Sequence, residues 1–334
     1  MKKLSIKRKI NSLYIVKRIK RIGGANFLDF DDREFNIEDY LSFGEWNEMV
    51  KEFDQKFRDN FTEKQRENFK KNIRDVIIRK KRLSDKEKNK NGTRGLYDPS
   101  DNSIRVYANN KEEEFYIKER LTHELMHMAS RKDKYNCGFH YFQKGEQLIS
   151  IGRSLNEGYT EFLNAAYMTY DYKGPYYVVE KVFAHGIEKI VGKEVMRDAY
   201  FEGNLLKLVE AMSEYMSNKD ALNLIYDMDK LDYSKSEKEY EKGMKKIKKK
   251  ISKIVESKIK RQLENGIIDI EEFEKRKFYD VEMYNKYNFI YSDTKKVYIQ
   301  EYNDSYKVIS DFNSVCLDKK KVPLKFDSDV KILR

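Results

Sequence analysis

Cysteine occurs twice in the 334 residues, at Cys137 and Cys316, proline three times and histidine four times. Two cysteines allow one bridge and exclude a disulfide framework. Three thinly spread prolines, beside a charged fraction of 37%, argue against a turn-rich β-sandwich and for long solvated helices. No apolar run is long enough to cross a bilayer, so no integral membrane segment is expected. Lys, Arg and Asn break the N-terminal apolar residues before a signal-peptide core of about 7–15 residues can form. These absences point to a cytoplasmic protein, with export that reads no N-terminal signal left open.

What is present is charge, and it is unevenly placed. The formal net charge is +11, yet residues 1–22, MKKLSIKRKINSLYIVKRIKRI, hold nine Lys/Arg and no acid, which leaves 11 − 9 = +2 for everything else. Such an arm suits weak contact with an anionic surface, lipid or nucleic acid, or else a solvated terminus. The 40% hydrophobic content can supply a core.

Read for organisation, the chain divides into a basic arm (1–22), a helical N-terminal region (23–92), a core (93–230), a long charged helix (231–265) and a C-terminal β-containing region (266–334). Helices are expected over 36–59 and 62–82. The second opens with TEKQ, a capping box in which Thr62 and Gln65 exchange hydrogen bonds with the first-turn backbone. LSDKEKNKNG (83–92) reads as a loop. RGLYDPSDNSIRVYA (94–108) reads as a hairpin turning on DPSDN, and 136–143 as a further strand or hairpin. Further helices are expected over 111–130, 155–172, 176–192 (closed by Gly192) and 194–216. Over 233–263 apolar residues at 244, 247, 251 and 254 form a narrow stripe on a charged helix, a packing arm or short coiled coil. KVYIQEY and YKVIS mark a β unit in 286–334. The fold class is α+β and predominantly helical, with a small, mostly antiparallel sheet packed on one motif helix and a helical C-terminal half.

That helix contains LTHELMHMAS (121–130), which uses two of the four histidines. Residues four apart share a helix face, so the imidazoles of His123 and His127 can converge on one ion, with Glu124 beside them. Phe115, Leu121, Leu125 and Met128 supply an apolar face, so an ordinary amphipathic helix carrying two histidines is the competing reading. Catalytic zinc takes three protein ligands and keeps a place for water. The best third candidate is Glu157 in SLNEGYTEFL, with 29 residues intervening after His127 and Glu161 one turn later on the same face. Gly158 costs a helix about 1 kcal/mol relative to alanine, which is easier to understand if another element approaches closely there. A second carboxylate one turn from a ligand suits the role of fixing a ligating imidazole's tautomer.

HELMH followed by NEGYTE resembles the gluzincin metallopeptidases of the zincin clan, and especially bacterial proteins with an LNEGYTE-type second motif. The resemblance spans roughly residues 94–216. It implies a zinc-dependent peptidase acting on peptide or protein substrates, with His123, His127 and Glu157 as zinc ligands, Glu124 as general base and Glu161 supporting a ligand from behind. It also suggests strand 103–108 as an edge that an extended substrate could join. No motif supplies the oxyanion donor. His185 is the leading candidate; His140 and tyrosines 167, 170 and 172 compete. Cys137 reads as a buried thiol rather than a fourth ligand. Two other readings are a catalytically inactive zincin-like binding or structural module, and a nucleic-acid-binding protein with a structural metal. Nothing in the sequence gives the oligomeric state.

Overall fold

The computed structural model describes residues 43–57, 61–74, 76–81, 95–107, 117–143, 149–167, 177–234 and 236–287, with strand segments 298–301, 305–309, 314–318 and 331–333. The protein is predominantly helical with small sheets. It divides into two units, residues 1–153 with 199–205 and residues 154–198 with 206–334. No helix among the described residues is long and apolar enough to cross a membrane. The basic arm 1–22, the loop 83–92 and the opening residues of the helices expected from 36 and 111 lie outside the described residues, as do the last residues of the one expected to reach 172.

The first unit begins with α1 (Phe43–Phe57) and α2 (Glu63–Arg74). The expected capping box is formed: Thr62 N donates to Gln65 Oε1 at 2.9 Å and Gln65 N to Thr62 Oγ1 at 3.3 Å. Phe53, Phe57, Phe61 and Phe69 meet in an aromatic core, and Phe201, from the segment 199–205, packs edge-on to Phe61 at 4.7 Å. Strands β1 (Ile77–Lys81), β2 (Gly95–Asp98) and β3 (Ser103–Tyr107) form a sheet ordered β1-β3-β2. The hairpin is the expected one, antiparallel from Gly95↔Val106 to Asp98↔Ser103. Its turn is closed by Asn102 in the left-handed region (φ 55°), whose Oδ1 accepts from Tyr97 Oη at 2.7 Å. The motif helix α3 (Ile117–Ala129) lies against β2 and β3, with Leu121, Leu125 and Met128 fully buried. An antiparallel meander follows: β4 (Arg131–Asp133), β5 (Asn136–Cys137), β6 (His140–Gln143) and β7 (Ile149–Ile151).

The second unit is built on helices α4 (Arg153–Tyr167), α5 (Val178–Val191), α6 (Lys193–Phe201), α7 (Leu205–Met212), α8 (Asn218–Asp229) and the 28-residue α9 (Glu237–Glu264). Gly192 (φ 93°) ends α5 as expected, its N–H donating to Glu188 O. Ile247, Ile251, Val255 and Ile259 bury the apolar stripe of α9, which packs along α5. That outcome is the packing arm rather than a coiled coil. Beyond a turn, α10 (Ile270–Arg276) runs into a π-helical stretch (Lys277–Met283) and α11 (Tyr284–Tyr287). The expected C-terminal β unit is a four-stranded sheet, β8 (Tyr298–Glu301), β9 (Ser305–Ile309), β10 (Ser314–Asp318) and β11 (Lys331–Leu333), ordered β10-β9-β8-β11.

Three expectations are corrected. Residues 77–81 are strand, not the end of a helix: IIRKK pairs in parallel with β3, Ile77↔Ser103 through Lys81↔Tyr107. Residues 194–216 are two helices, because Gly203 takes φ 58° and stops α6. Strand 103–107 is central in its sheet, hydrogen-bonded on both sides, and cannot accept a substrate strand; β1 and β2 are the edges among the described residues.

Lys248 lies on α9 with its side chain buried (3% exposed) and its ammonium 5.8 Å from the Tyr284 ring centroid. Burial, with repulsion from Lys245, pulls its pKa down to about 8. The unfolded chain holds this proton up to about 10.4, so folding carries the full penalty below pH 8 and sheds it as pH rises toward 10.4. Lys248→Met is expected to raise the melting temperature at pH 7, with the gap narrowing between pH 8 and 10; a pH-independent gap in thermal melts would contradict this.

Candidate metal centre

Helix α3 presents its two histidines as the spacing requires. Nε2 of His123 and Nε2 of His127 are 3.1 Å apart, the rings steeply inclined at 76°. Nitrogens bound at about 2.0–2.1 Å in a tetrahedral zinc site stand roughly 3.3 Å from each other. One ligand atom from each of His123, His127 and Glu157 lies within 4.8 Å of the others, with His127 buried and the other two half-buried. Two nitrogens and a carboxylate oxygen therefore come together in a group that could hold a metal ion.

The helix end that bears His127 is held firmly. Its last carbonyls have no intrahelical partner and would be costly to bury bare. The His127 carbonyl accepts from Ser130 Oγ at 2.9 Å and from Cys137 Sγ at 3.1 Å. The Met128 carbonyl accepts from Asn72 Nδ2 at 3.1 Å, and the same amide reaches Arg131 O at 3.0 Å. Arg131 returns Nη1 to Asn72 Oδ1 at 3.0 Å and sends Nε to the Pro99 carbonyl at 2.9 Å. Asn102 Nδ2 completes the network on Asn72 O at 2.8 Å, joining the hairpin, α2 and the helix terminus. Cys137 is thus a free, buried thiol that serves the backbone of a candidate ligand, in keeping with its expected role as a buried thiol.

Glu124 is 5% exposed and lies against the backbone of β2. A Cβ at Gly95 would sit 2.6 Å from Glu124 Oε1, so glycine there is what admits the carboxylate. Sequence reasoning passed over Gly95, which in GTRGLYD looks like loop punctuation.

On α4, Glu157 is followed by Gly158, and the close approach expected there exists: a Cβ would overlap the carbonyl of Glu180, where α5 begins. Glu161 is buried, and its charge opposes part of the depression that burial imposes on Lys181 of α5. Lys181, not singled out in the sequence, is therefore a companion of Glu161. His185 is buried on α5 with its ring 5.6 Å from Phe162 of α4. Burial, aided by Lys189, holds its pKa well below the ordinary histidine value, so it is neutral at pH 7. His140 meets Ser150 Oγ at 2.9 Å within the meander, which suits a structural role. Tyr170 and Tyr172 and the side chain of Tyr167 lie outside the described residues. No protein-family model, curated protein or solved structure matches the chain.

Gly158→Ala places a methyl group into a backbone carbonyl that no rotamer change can move. The expected result is a loss of roughly 1–3 kcal/mol or more, read from denaturant melts. An unchanged midpoint would refute the close approach of α4 to α5.

Proposed function

We propose that the chain is a zinc-dependent metallopeptidase of the gluzincin type with a zincin-like core. The observation that carries this reading is the convergence of His123, His127 and Glu157 within 4.8 Å, with Glu124 next to the first histidine on the same helix. A structural zinc site is normally closed by four protein ligands, whereas three leave a place for solvent, as hydrolysis requires. When bound, zinc supplies a Lewis acid that brings the pKa of water toward about 7 and polarises a carbonyl. His123, His127 and Glu157 would hold the ion, and Glu161, one turn beyond Glu157 on the same helix, is the proposed supporting carboxylate.

Glu124 is the general base: it takes a proton from the attacking water and returns it to the leaving amine. The absence of a side chain at Gly95 leaves the Glu124 carboxylate the space it occupies beside β2. His185, on α5, the helix that follows the one bearing Glu157, is the proposed donor to the oxyanion. The substrate is a peptide or protein, and β1 and β2, the edge strands among the described residues, are the ones we propose an extended chain could join.

Elemental analysis is expected to give about one zinc per chain, and chelator should abolish cleavage of a peptide library. Glu124→Gln should keep the zinc and lose turnover by about 100-fold or more. His127→Ala should lose the zinc. Gly95→Ala should keep the zinc and lower turnover by crowding Glu124. Turnover retained in Glu124→Gln would remove the base assignment, and zinc bound without cleavage by the wild type would favour an inactive binding module.

A further inference from the structure

The positive charge of the chain is gathered in two stretches. Residues 1–22 hold +9, and residues 242–261 hold ten Lys/Arg against the single acid Glu256, a second +9, so all other residues sum to 11 − 18 = −7. Within α9 those ten cations are of two kinds. Five are buried or paired: Lys248 is buried, Lys250 reaches Asp220 O at 3.4 Å, Lys258 donates to Lys189 O and Ile190 O at 3.0 and 2.8 Å, Lys260 faces Glu264 at 3.9 Å, and Arg261 faces Glu214 at 3.4 Å. Lys242, Lys245, Lys246, Lys249 and Lys253 are exposed and have no ion-pair partner among the described residues.

At about 100° per residue these five fall within an arc of about 100°, on the side of α9 opposite Ile247, Ile251 and Val255. Their Cα atoms span about 17 Å of axis at about 1.5 Å per residue, near one cation per 4 Å. Each strand of a nucleic-acid duplex carries one phosphate per about 3.4 Å, so the row matches that charge density. Like charges three and four apart on a helix repel, and a face kept merely solvated interleaves acids at those spacings. The first turns of the same helix do so, with Glu237, Glu239 and Glu241 around Lys238 and Lys242, whereas no acid stands between Lys242 and Lys253. An anionic bilayer fits less well. The apolar side of α9 is buried, and the exposed Ile267 and Ile270 beyond it (67% and 62%) sit among Glu264, Asp269, Glu271 and Glu272, which anionic lipid repels.

We propose that the Lys242–Lys253 face of α9 docks the phosphodiester backbone of a double-stranded nucleic acid without regard to base sequence. The proposal is independent of the metal group and its test needs no turnover. The full-length protein is titrated into fluorescein-labelled DNA and RNA duplexes of about 24 base pairs, anisotropy being followed from about 50 to 200 mM salt. A variant carrying Lys242→Gln, Lys246→Gln, Lys249→Gln and Lys253→Gln is compared with one carrying Lys51→Gln, Lys64→Gln, Lys71→Gln and Lys286→Gln, which has the same net charge and alters only exposed lysines elsewhere.

Every phosphate that a variant no longer neutralises takes about 0.9 off the log–log salt slope, so the α9 variant should drop by roughly 3 to 4 from the wild-type slope while the control keeps it. A drop confined to one duplex identifies which nucleic acid is bound. The proposal is overturned if the wild type fails to bind either duplex at the lowest salt, or if the two variants share one slope. It is also overturned if the α9 variant loses binding to phosphatidylserine-containing vesicles but keeps its duplex affinity. Circular dichroism melts of the three proteins, expected to be close, exclude unfolding as the cause.

Discussion

Two imidazole nitrogens held 3.1 Å apart on one side of α3 are the constraint around which the candidate site is organised. An apolar helix face gains nothing from such a pair. With a carboxylate in reach, the three donors form a group that could hold a metal ion. The surroundings are arranged to keep the geometry. Ser130, Cys137 and Asn72 occupy the carbonyls of His127 and Met128, so the helix end cannot fray without breaking several buried hydrogen bonds. Gly95 and Gly158 remove side chains where a carboxylate and a neighbouring helix need the space.

What could be read from the sequence was what is written locally. The Thr62–Gln65 box, the DPSDN turn and the Gly192 stop each depend on residues within a few positions of each other, and each is present; of the stripe expected on α9, Ile247 and Ile251 are buried while Met244 and Ile254 are half-buried, and Val255 and Ile259 complete the buried row. Strand β1 was missed because its partner is distant in sequence: Ile77 pairs with Ser103, and IIRKK after an amphipathic helix continues a helical pattern until that partner is known. The break at Gly203 was missed for a related reason. A glycine inside a helical pattern is tolerated often enough that only its positive φ reveals a stop.

The site shows the same division. Histidine scarcity and the spacing of His123, Glu124 and His127 made the histidine pair legible, and Gly158 beside Glu157 gave a true hint of close approach. Gly95 and Lys181 carried no such hint, because their importance comes from which side chain tertiary packing sets beside them, Glu124 in one case and Glu161 in the other. Asn72 was likewise unremarkable in FKKNIRD, although its amide and carbonyl tie three elements together. Roles created by tertiary packing leave little trace in a single sequence, whereas roles created by helical periodicity leave a clear one.

Helix α9 carries two demands that periodicity keeps apart. Its inward face must be apolar to pack along α5, and Ile247, Ile251, Val255 and Ile259 meet that demand. Its outward face needs only to be polar, and alternating Glu and Lys would have served solubility while adding favourable pairs one turn apart. Lysine alone gives up those pairs and adds repulsion, so fold stability does not account for the choice. The remainder of the chain outside the two basic stretches is negative. A polyanion is therefore attracted to those stretches and repelled elsewhere, so the charge pattern selects an orientation of approach as well as strengthening the attachment.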